Sequence, residues 1–343
     1  MEEKQTTLKG WGCVLNQQPP IVVTWTGADV PLGVMSLPNA FAGQPAIVLL
    51  FSSSFINADK AKWRAGLIHR HRAFNLLHHI VAFGSDATEA GYLRNAGLNA
   101  MQINANCFLN ETVFKPLGDT PAEFDAVYNA RLSPEKRHHL TADVRSLGLL
   151  YFRDNGSQTS REFHEQVAAW RQRLPHATFL NPITDEGCKP LTRQQVNEVY
   201  ARSRVGLILS AAEGTNRASM EYMMAGLPVV STRSVGARDY FFDPEYCCIV
   251  EDNPREIAEA VSALSRRNIP RQYIRDKTMH RVERERERFC EICDQLVVDR
   301  MPLAPGFRND FKKLIYADDG GLFHWTSFAT LAGNQQTVPL GQG

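Results

Sequence analysis

The 343-residue sequence has no long hydrophobic run and no strong excess of charge of either sign. Its apolar stretches, such as PAIVLLF at 45–51, fall well short of the ~18 residues that a membrane-spanning helix needs. The N-terminus, MEEKQTTLKGWG, is polar and lacks the apolar core of a secretory signal. A formal net charge of +1 gives no indication of a duplex nucleic-acid binder. We therefore expect a soluble, cytoplasmic protein with no nucleic-acid partner, and peripheral membrane association stays open.

Cysteine is also sparse, with seven residues scattered along the chain. An odd number of dispersed cysteines is typical of a reducing compartment and not of a disulfide scaffold. Cys290 and Cys293 form a CxxC pair, but no second CxxC is present to complete a four-cysteine zinc site. Two cysteines on one helix face are the favoured interpretation, and zinc is the less favoured alternative.

What the chain does contain is a repeated alternation of short apolar segments and helical patterns. Apolar residues make up 43% of it and charged residues 22%, which are values typical of a globular protein. In the first half, apolar segments at 20–25, 45–51, 78–85 and 99–107 predict strands. After the third of these, a helix is predicted from an N-cap at Asp86 to a stop at Gly97.

The segment 108–123 has no periodic pattern and contains Pro116, Gly118 and Pro121, so it predicts a linker. The alternation then restarts. Strands are predicted at 124–132, 145–152, 176–183, 204–211 and 227–232, and helices at 161–174, 192–203, 217–225 and 253–267. Because strands that alternate with helices form parallel sheets, we expect an α/β protein with two Rossmann-like domains that face a central cleft. The first domain would be unusually short.

The pattern changes from about residue 268 onward. The segment 281–297 alternates in charge and predicts a solvated helix face held by i,i+4 ion pairs. An aromatic segment, GLFHWTSF at 321–328, would dock on the core or cover a subunit interface, so a homo-oligomer stays open. The predicted domain limits are 1–118, 119–267 and a helical extension and tail at 268–343 that packs back across the domains.

Two glutamates, Glu213 and Glu221, lie on either side of the start of a predicted helix in LSAAEGTNRASMEYMMAGLPVVST, residues 209–232. The turn before this helix presents the backbone amides of Gly214, Thr215 and Asn216 at a helix N-terminus, which favours phosphate or sugar oxygens. Glu221 lies among apolar neighbours and needs a partner, which ribose hydroxyls would supply. Helix capping combined with a surface carboxylate is the simpler alternative.

Two cations, Arg131 and Lys136, follow the first strand of the second half in NARLSPEK. They are expected at the same edge of the sheet as Glu213, because the carboxyl ends of parallel strands meet there. Two cations that face a helix N-terminus suit a diphosphate. A pair of exposed basic residues is the alternative.

Taken together, these motifs resemble the second domain of the retaining glycosyltransferases of GT-B fold, family 4 (glycosyltransferase group 1). The family has an E-x7-E motif, matched by Glu213 and Glu221, and an Arg-x4-Lys pair, matched by Arg131 and Lys136. The resemblance covers roughly residues 78–265. It implies an enzyme that transfers a sugar from a nucleotide diphosphate sugar to a hydroxyl acceptor, with retention of configuration at the transferred carbon.

The resemblance also implies a role for each matched residue. Arg131 and Lys136 would neutralise the donor diphosphate, Glu213 would accept hydrogen bonds from the donor sugar, and Glu221 would bind the ribose. The backbone amides of Gly214, Thr215 and Asn216 would hold the sugar or the distal phosphate, and Asn181, Ile183 and Thr184 would lie beside the base. Asn216 and Arg217 are more polar than the residues usual in the family and would contact an unusual donor or an anionic acceptor, with a surface arginine as the alternative. No protein nucleophile would be required, and the donor phosphate itself would deprotonate the acceptor hydroxyl.

The first half departs from the family pattern. Gly27 is the candidate for the family's glycine-rich loop, although a simple turn explains it equally well. The family often has a histidine near the reacting sugar, and His69, His71, His78 and His79 are all candidates between which the sequence does not choose.

No Asp-x-Asp motif, which metal-dependent GT-A transferases use to hold a divalent ion, occurs in the chain. We therefore predict no metal and no cofactor, with a UDP- or GDP-linked sugar as the donor. The acceptor would be a glycan, a lipid-linked sugar or a small molecule. Two alternatives remain. One is a GT-B protein that has lost transfer activity and acts as a sugar-nucleotide-binding or regulatory protein. The other is a GT-B enzyme of other chemistry, such as an epimerase or a phosphorylase.

Overall fold

The structure is a computed structural model that describes residues 11–17, 20–27, 31–36, 41, 43–118, 120–153 and 158–298. The chain divides into two compact units. The first comprises the chain up to Asn110 together with the chain from Arg284 onward, and the second is Glu111–Glu283. The three predicted domain limits stay predictions. The aromatic segment 321–328 lies outside the described residues.

The first unit contains a five-stranded sheet of order β1-β2-β3-β4-β5. Its elements are β1 (Trp11–Gln17), β2 (Pro20–Trp25), β3 (Ala46–Phe51), α1 (Ala58–Phe74), β4 (His78–Gly84), α2 (Ala87–Asn95) and β5 (Ala100–Gln102). β1 is antiparallel to β2, and the other neighbours are parallel. Every residue of β3 is buried, as its unbroken apolar run predicts.

The helix predicted after β4 is confirmed, and the strand predicted after it is too long. Asp86 caps α2 by accepting from the backbone N–H of Glu89 at 2.8 Å, and Gly97 has a φ of +83° just beyond its end. The strand predicted at 99–107 stops at Gln102. The Asn104 side chain accepts from the N–H of Asn106 and starts a 3-10 helix, so the chain leaves the sheet.

The second unit contains a six-stranded parallel sheet of order β13-β12-β11-β6-β7-β8. The strands of this sheet are β6 (Phe124–Asn129), β7 (Leu147–Leu150), β8 (Ala177–Phe179), β11 (Ser203–Ile208), β12 (Val229–Thr232) and β13 (Cys247–Val250). A separate hairpin is formed by β9 (Ile183–Thr184) and β10 (Gly187–Cys188). The helices of this unit are α3 (Ser160–Arg173), α4 (Arg193–Ala201), α5 (Arg217–Met224) and α6 (Pro254–Arg266). The strand predicted at 176–183 is confirmed only over β8, which ends at Phe179. Beyond it the chain leaves the sheet, and the Asn181 side chain accepts from the N–H of Tyr151 at 2.9 Å.

A glycine on β11 allows α5 to pack closely on the sheet. A Cβ placed on Gly206 would lie 2.3 Å from the ring of Tyr222, which is fully buried on α5. The Tyr222 hydroxyl accepts from the N–H of Asn129 at 2.7 Å at the end of β6. Gly206 therefore determines how α5 is placed on the carboxyl ends of β6 and β11.

We expect Gly206→Ala to lower the free energy of unfolding by about 1–3 kcal/mol, because the added methyl group must displace a buried ring. Urea denaturation measures the loss. Gly91→Ala on α2 is the control, since a Cβ there meets nothing within 4 Å. Equal stability of Gly206→Ala and the wild type would show that Tyr222 moves without cost.

The last described helix, α7 (Arg271–Val298), passes through the boundary between the units, and its solvated face is smaller than predicted. Glu285 and Arg286 are both buried. Glu285 accepts from the N–H of Asn104 at 2.9 Å, and Arg286 donates to the carbonyls of Cys107 and Leu109 at 2.7 and 2.9 Å. These two charged side chains supply hydrogen bonds to the backbone around the 3-10 helix of the first unit. The alternating charge pattern therefore wrongly predicted that both are exposed to solvent.

The apolar positions of α7 complete the core of the first unit. Phe289 packs on the rings of Phe51, Phe83 and Phe108 at centroid distances of 6.2, 6.0 and 5.0 Å. Cys290 and Cys293 lie on the same helix and are buried. No helix in the part of the chain that the structure describes is long and apolar enough to cross a bilayer.

Candidate active site

Three adjacent strands of the second unit, β6, β11 and β12, end at one edge of the sheet, and polar residues follow each of them. β6 leads through a turn to a 3-10 helix at Pro134–Lys136. β11 leads to Ser210 and to the turn before α5, and β12 ends at Thr232. The edge therefore gathers the motifs that the sequence placed far apart in the chain.

Lys136 and Glu213 are in direct contact at this edge. The Lys136 ammonium forms an ion pair with Oε1 of Glu213, and the side chains are only 13% and 15% exposed. The hydroxyl of Ser210 donates to the same carboxylate oxygen at 2.7 Å. The Tyr128 hydroxyl donates to the carbonyl of Lys136 at 2.5 Å, which fixes the backbone of the lysine. A cation and a carboxylate are thus held together at one point, both partly accessible.

The turn between β11 and α5 is held by the neighbouring chain. The N–H of Glu213 donates to the carbonyl of Val235 at 2.9 Å, and the N–H of Val235 donates to Ala211 at 3.0 Å. Asn216, with a φ of +49°, caps α5 by accepting from the N–H of Ser219 at 3.0 Å. The predicted residues Gly214, Thr215 and Asn216 therefore lie between Glu213 and the first residue of α5, with Asn216 as the N-cap.

Glu221 lies on α5 with a phenol as its partner. The Tyr200 hydroxyl donates to Oε2 of Glu221 at 2.9 Å and accepts from Nδ2 of Asn129 at 2.8 Å. Burial raises the pKa of the Glu221 carboxyl, and the bond from Tyr200 and the charges of Arg217 and Arg193 act in the opposite direction. A half-buried carboxylate whose partner is a neutral hydroxyl retains capacity to accept from a ligand.

Two arginines form hydrogen bonds with the ends of β11 and β12, close to the Lys136–Glu213 ion pair. Arg238, 2% exposed, donates to the carbonyls of Ser210, at 2.7 Å, and Thr232. Its burial lowers the pKa of the guanidinium to about 10. Arg137 donates to the carbonyl of Leu209 at 2.5 Å and to the Thr232 hydroxyl at 2.6 Å. Together they hold the ends of β11 and β12 in a fixed position relative to each other.

The sequence offered little to identify these anchors. Arg238 was visible only as a cation after a strand, and Arg137 only as the neighbour of Lys136. Tyr200 lies on α4, Asn129 on β6 and Glu221 on α5, and Tyr200 contacts both of the others. These contacts depend on the pairing of β6 with β11, on which α4 and α5 pack. Pairing of this kind is a tertiary property that spacing along the chain does not encode.

Arg131 and Arg217 are the other two predicted cations of this edge. Arg131 approaches Glu135 at 3.9 Å, and its side chain is partly exposed. Arg217 is the first residue of α5, is exposed, and lies one helical turn before Glu221. Both therefore add positive charge to this edge of the sheet.

A cavity of about 330 Å³ lies beside the ends of β6, β7 and β8. Tyr151 and Asn181 are in its lining, together with Asn129, which connects it to the Tyr200–Glu221 contact. Asn181 is buried and donates to the carbonyl of Lys189 at 3.2 Å, so it holds the wall of the cavity. The other predicted base-side residues, Ile183 and Thr184, form the exposed strand β9.

In the first unit, Gly27 follows β2 at the carboxyl edge of its sheet. The four candidate histidines lie at the opposite, amino edge. His69 and His71 are near the end of α1, and His78 and His79 begin β4. His71 Nε2 and His78 Nδ1 are 2.9 Å apart, and burial lowers the pKa of His71. None of the four lies at the edge where such sheets bind ligands.

Comparison with known proteins agrees with this architecture. HepE from Anabaena in complex with UDP superposes with a TM-score of 0.52 at 14% identity, covering 74% of this chain and 72% of that one. Its complex with UDP-glucose gives a TM-score of 0.52 at 15% identity, with 74% and 72% covered. Sucrose-phosphate synthase from Thermosynechococcus elongatus gives 0.51 at 18% identity, with 73% and 67% covered. The chain has the GT-B fold.

A sequence relationship is visible in the second unit. Residues 156–267 match the family described as Glycosyl transferases group 1. This segment includes Glu213 and Glu221 and begins beyond Arg131 and Lys136. A comparison with curated protein sequences gave no match. The fold and the family match together support a relationship to glycosyltransferases.

Proposed function

We propose that this protein is a retaining, metal-independent glycosyltransferase of the family 4 type. It transfers a sugar from a UDP- or GDP-linked donor to a hydroxyl of a glycan, a lipid-linked sugar or a small molecule. The observation that carries the proposal is the Lys136–Glu213 pair at the N-terminus of α5. One point of the site then offers a cation for the diphosphate and an acceptor for sugar hydroxyls. HepE, which has the same fold, was crystallised with UDP and UDP-glucose, which favours UDP.

In this proposal the donor lies along the carboxyl edge of the second sheet. The base enters the cavity of about 330 Å³ beside Asn181. The ribose hydroxyls donate to Glu221, which already has Tyr200 as an ordered neighbour. The diphosphate meets Lys136 and the start of α5, where the helix dipole favours negative charge.

The chemistry proposed at this site needs charge stabilisation more than it needs a nucleophile. The bond between the sugar carbon and the diphosphate oxygen breaks, and the acceptor oxygen bonds to that carbon on the same face. The acceptor proton passes to the departing phosphate oxygen. Lys136 stabilises the negative charge that develops on the diphosphate, and Glu213 holds the sugar hydroxyls so that the reacting carbon stays in place.

Thermal-shift measurement with UDP, GDP, ADP and their sugar conjugates tests donor binding, with and without EDTA. A ligand that binds only the folded state adds about 2.7 kcal/mol of stability at 100 times its Kd. We expect a clear rise of Tm with one nucleotide family, of equal size in EDTA. No rise with any of them, or a rise that EDTA removes, would contradict the proposed donor site or its independence from metal.

A second candidate is a GT-B protein that binds sugar nucleotides without transferring the sugar. The position of the histidines favours it, since the four in residues 1–110 all lie at the amino edge of their sheet. Donor hydrolysis and transfer to a panel of acceptors distinguish the two candidates. Tight binding with neither reaction would select the second.

We expect donor binding to depend on pH, because the proposed ribose acceptor Glu221 can be protonated. Because burial raises the pKa of its carboxyl, the group loses its charge at a higher pH than an exposed glutamate does. As the pH falls through this raised pKa, donor affinity should fall by up to about tenfold per pH unit. Glu221→Gln should bind the donor about 10–100-fold more weakly at neutral pH, with a flatter pH profile.

Calorimetric titration with a UDP-sugar is the measurement, since the diester of the sugar conjugate has no terminal phosphate that titrates near neutral pH. Glu251→Gln, on an exposed residue, is the control and should keep the wild-type profile. Parallel profiles for Glu221→Gln and the wild type would exclude Glu221 as the titrating group.

A further inference from the structure

The turn between α1 and β4 exposes large apolar side chains in the first unit. Phe74 is 88% exposed, Leu76 85% and Leu77 54%. Single exposed apolar residues are common on protein surfaces, but three within four positions form a contiguous patch. A patch of this kind is typical of a surface that meets a partner.

The patch continues along α1. Trp63, at 55% exposure, Arg70 and Phe74 occur at i, i+7 and i+11, so they share one face of the helix. The core-facing side of α1 contains Ala61, Ala65 and Ile68 instead. The outer face therefore combines aromatic residues with a cation. Arg72, two residues beyond Arg70, is exposed on the opposite side of the helix end and borders the cavity described below. We call Trp63, Arg70, Arg72, Phe74, Leu76 and Leu77 together the α1 surface.

The charge around this surface has one sign. From Lys60 to Ser85 the chain contains five Lys or Arg residues and no Asp or Glu. Lys62, Arg70 and Arg72 are exposed, and none of the three forms an ion pair within the described parts of the chain. Exposed cations without carboxylate neighbours favour an anionic partner.

A cavity adjoins the surface at the amino edge of the sheet. Its volume is about 320 Å³, and its lining includes His69, Arg72, His79 and Asn99. These side chains offer hydrogen-bond donors to an oxyanion. The cavity therefore has the chemistry that a phosphate-bearing headgroup requires, directly beside the exposed Phe and Leu side chains.

We propose that the α1 surface docks the protein on an anionic lipid bilayer. Phe74, Leu76 and Leu77 enter the boundary between headgroups and acyl chains, and Trp63 lies at the headgroup level, where indole rings are enriched. Arg70 and Arg72 attract the anionic headgroups. This inference concerns membrane docking and does not depend on the proposed sugar transfer.

A second copy of the chain fits the same surface less well. A symmetric contact would place the α1 surface against itself, so Arg70 and Arg72 of one copy would face the same cations of the other. The segment from Lys60 to Ser85 has no carboxylate to compensate them. Anionic lipid supplies that compensation, and it also accepts the apolar side chains.

Co-sedimentation of the full chain with vesicles tests the proposal. One set of vesicles is pure phosphatidylcholine, and the other contains about 30% phosphatidylglycerol, which gives a negative surface potential. We expect binding to the anionic vesicles at least about tenfold stronger than to the neutral ones, and weaker binding at high salt. Phe74→Ser/Leu76→Ser should lower binding to the anionic vesicles about tenfold or more.

Arg70→Gln/Arg72→Gln should lower the preference for anionic vesicles, and its matched control is Arg171→Gln/Arg173→Gln. Both pairs lie in the last turns of their helices, and both changes remove the same charge. Ile249→Ser controls for loss of an exposed apolar residue in the second unit. The unfolding midpoint of each variant shows that the fold is retained.

Three results would overturn the proposal. The first is no binding to anionic vesicles, and the second is equal loss of binding in the α1 variants and their controls. The third is a dimer that forms with increasing concentration, is abolished by Phe74→Ser/Leu76→Ser, and occurs without vesicle binding. That last result would assign the surface to a second copy of the chain.

Discussion

Replacing Lys136 with alanine is expected to lower kcat for sugar transfer by about 10²–10³-fold, with a smaller effect on donor Kd. The ammonium lies at the carboxyl edge of the second sheet, beside Glu213 and the start of α5. Negative charge grows on the diphosphate as the bond to the sugar breaks, so the cation stabilises the transition state more than the bound donor. Initial-rate measurements with saturating donor give kcat, and equilibrium titration gives Kd.

Glu213→Ala should reduce transfer to a similar degree for a different reason, because the donor sugar loses its hydrogen-bond acceptor. Each single variant also leaves the other member of the pair without its ion-pair partner, which should lower the free energy of unfolding by about 1–3 kcal/mol. The double variant should be more stable than the sum of the single changes predicts, which a double-mutant cycle measures. Full activity of both single variants would exclude this site as the place of transfer.

Arg145→Ala is the matched control for these changes. Arg145 forms an ion pair with Asp125 at 2.8 Å near the amino end of β6, and the Arg145 side chain is 85% exposed. Because water surrounds the arginine, its loss should leave both stability and kcat near wild type. A loss of transfer in this variant equal to that in Lys136→Ala would indicate a general effect of charge on the second unit.

The fold was predictable where the signals are local. The buried strand β3 is an unbroken apolar run, and β2 and β4 are largely apolar. The caps at Asp86 and Asn253 mark the starts of α2 and α6. α1 was missed because its buried face consists of Ala61, Arg64, Ala65 and Ile68, which give almost no apolar periodicity. A helix whose core side is small and partly charged cannot be recognised by that pattern.

The sequence predicted which edge of the sheet contains the site, but it did not predict the side-chain contacts within the site. Parallel strands place their carboxyl ends together, so the sequence correctly grouped Lys136 with Glu213. It could not give the bond from Tyr200 to Glu221, or the position of Arg131 beside Glu135. These depend on strand order and on side-chain rotamers, which single-sequence spacing leaves undetermined.

Arg238→Met is expected to lower the free energy of unfolding of the second unit by about 3 kcal/mol or more. The guanidinium donates to the carbonyls of Ser210 and Thr232, and hydrogen bonds from a charged group contribute about 1.5–3 kcal/mol each. Methionine fills a similar volume but removes the charged donor from both buried carbonyls, and that of Thr232 keeps a second donor, the Ser231 hydroxyl at 3.4 Å. Urea denaturation measures the loss, and donor affinity should fall with it, because Ser210 positions Glu213.

Arg281→Met separates burial from hydrogen bonding as the source of this effect. Arg281 also donates to two carbonyls, those of Phe241 and Phe242 at 3.1 and 2.8 Å, but its side chain is 39% exposed. Water can replace a donor lost there, so we expect a change of only about 1 kcal/mol or less. Equal losses in the two variants would show that burial of Arg238 is not decisive. Burial lowers the pKa of Arg238 to about 10, which shows that burying its charge costs free energy. If Arg238→Met were as stable as the wild type, that cost would equal the stabilisation from the two hydrogen bonds.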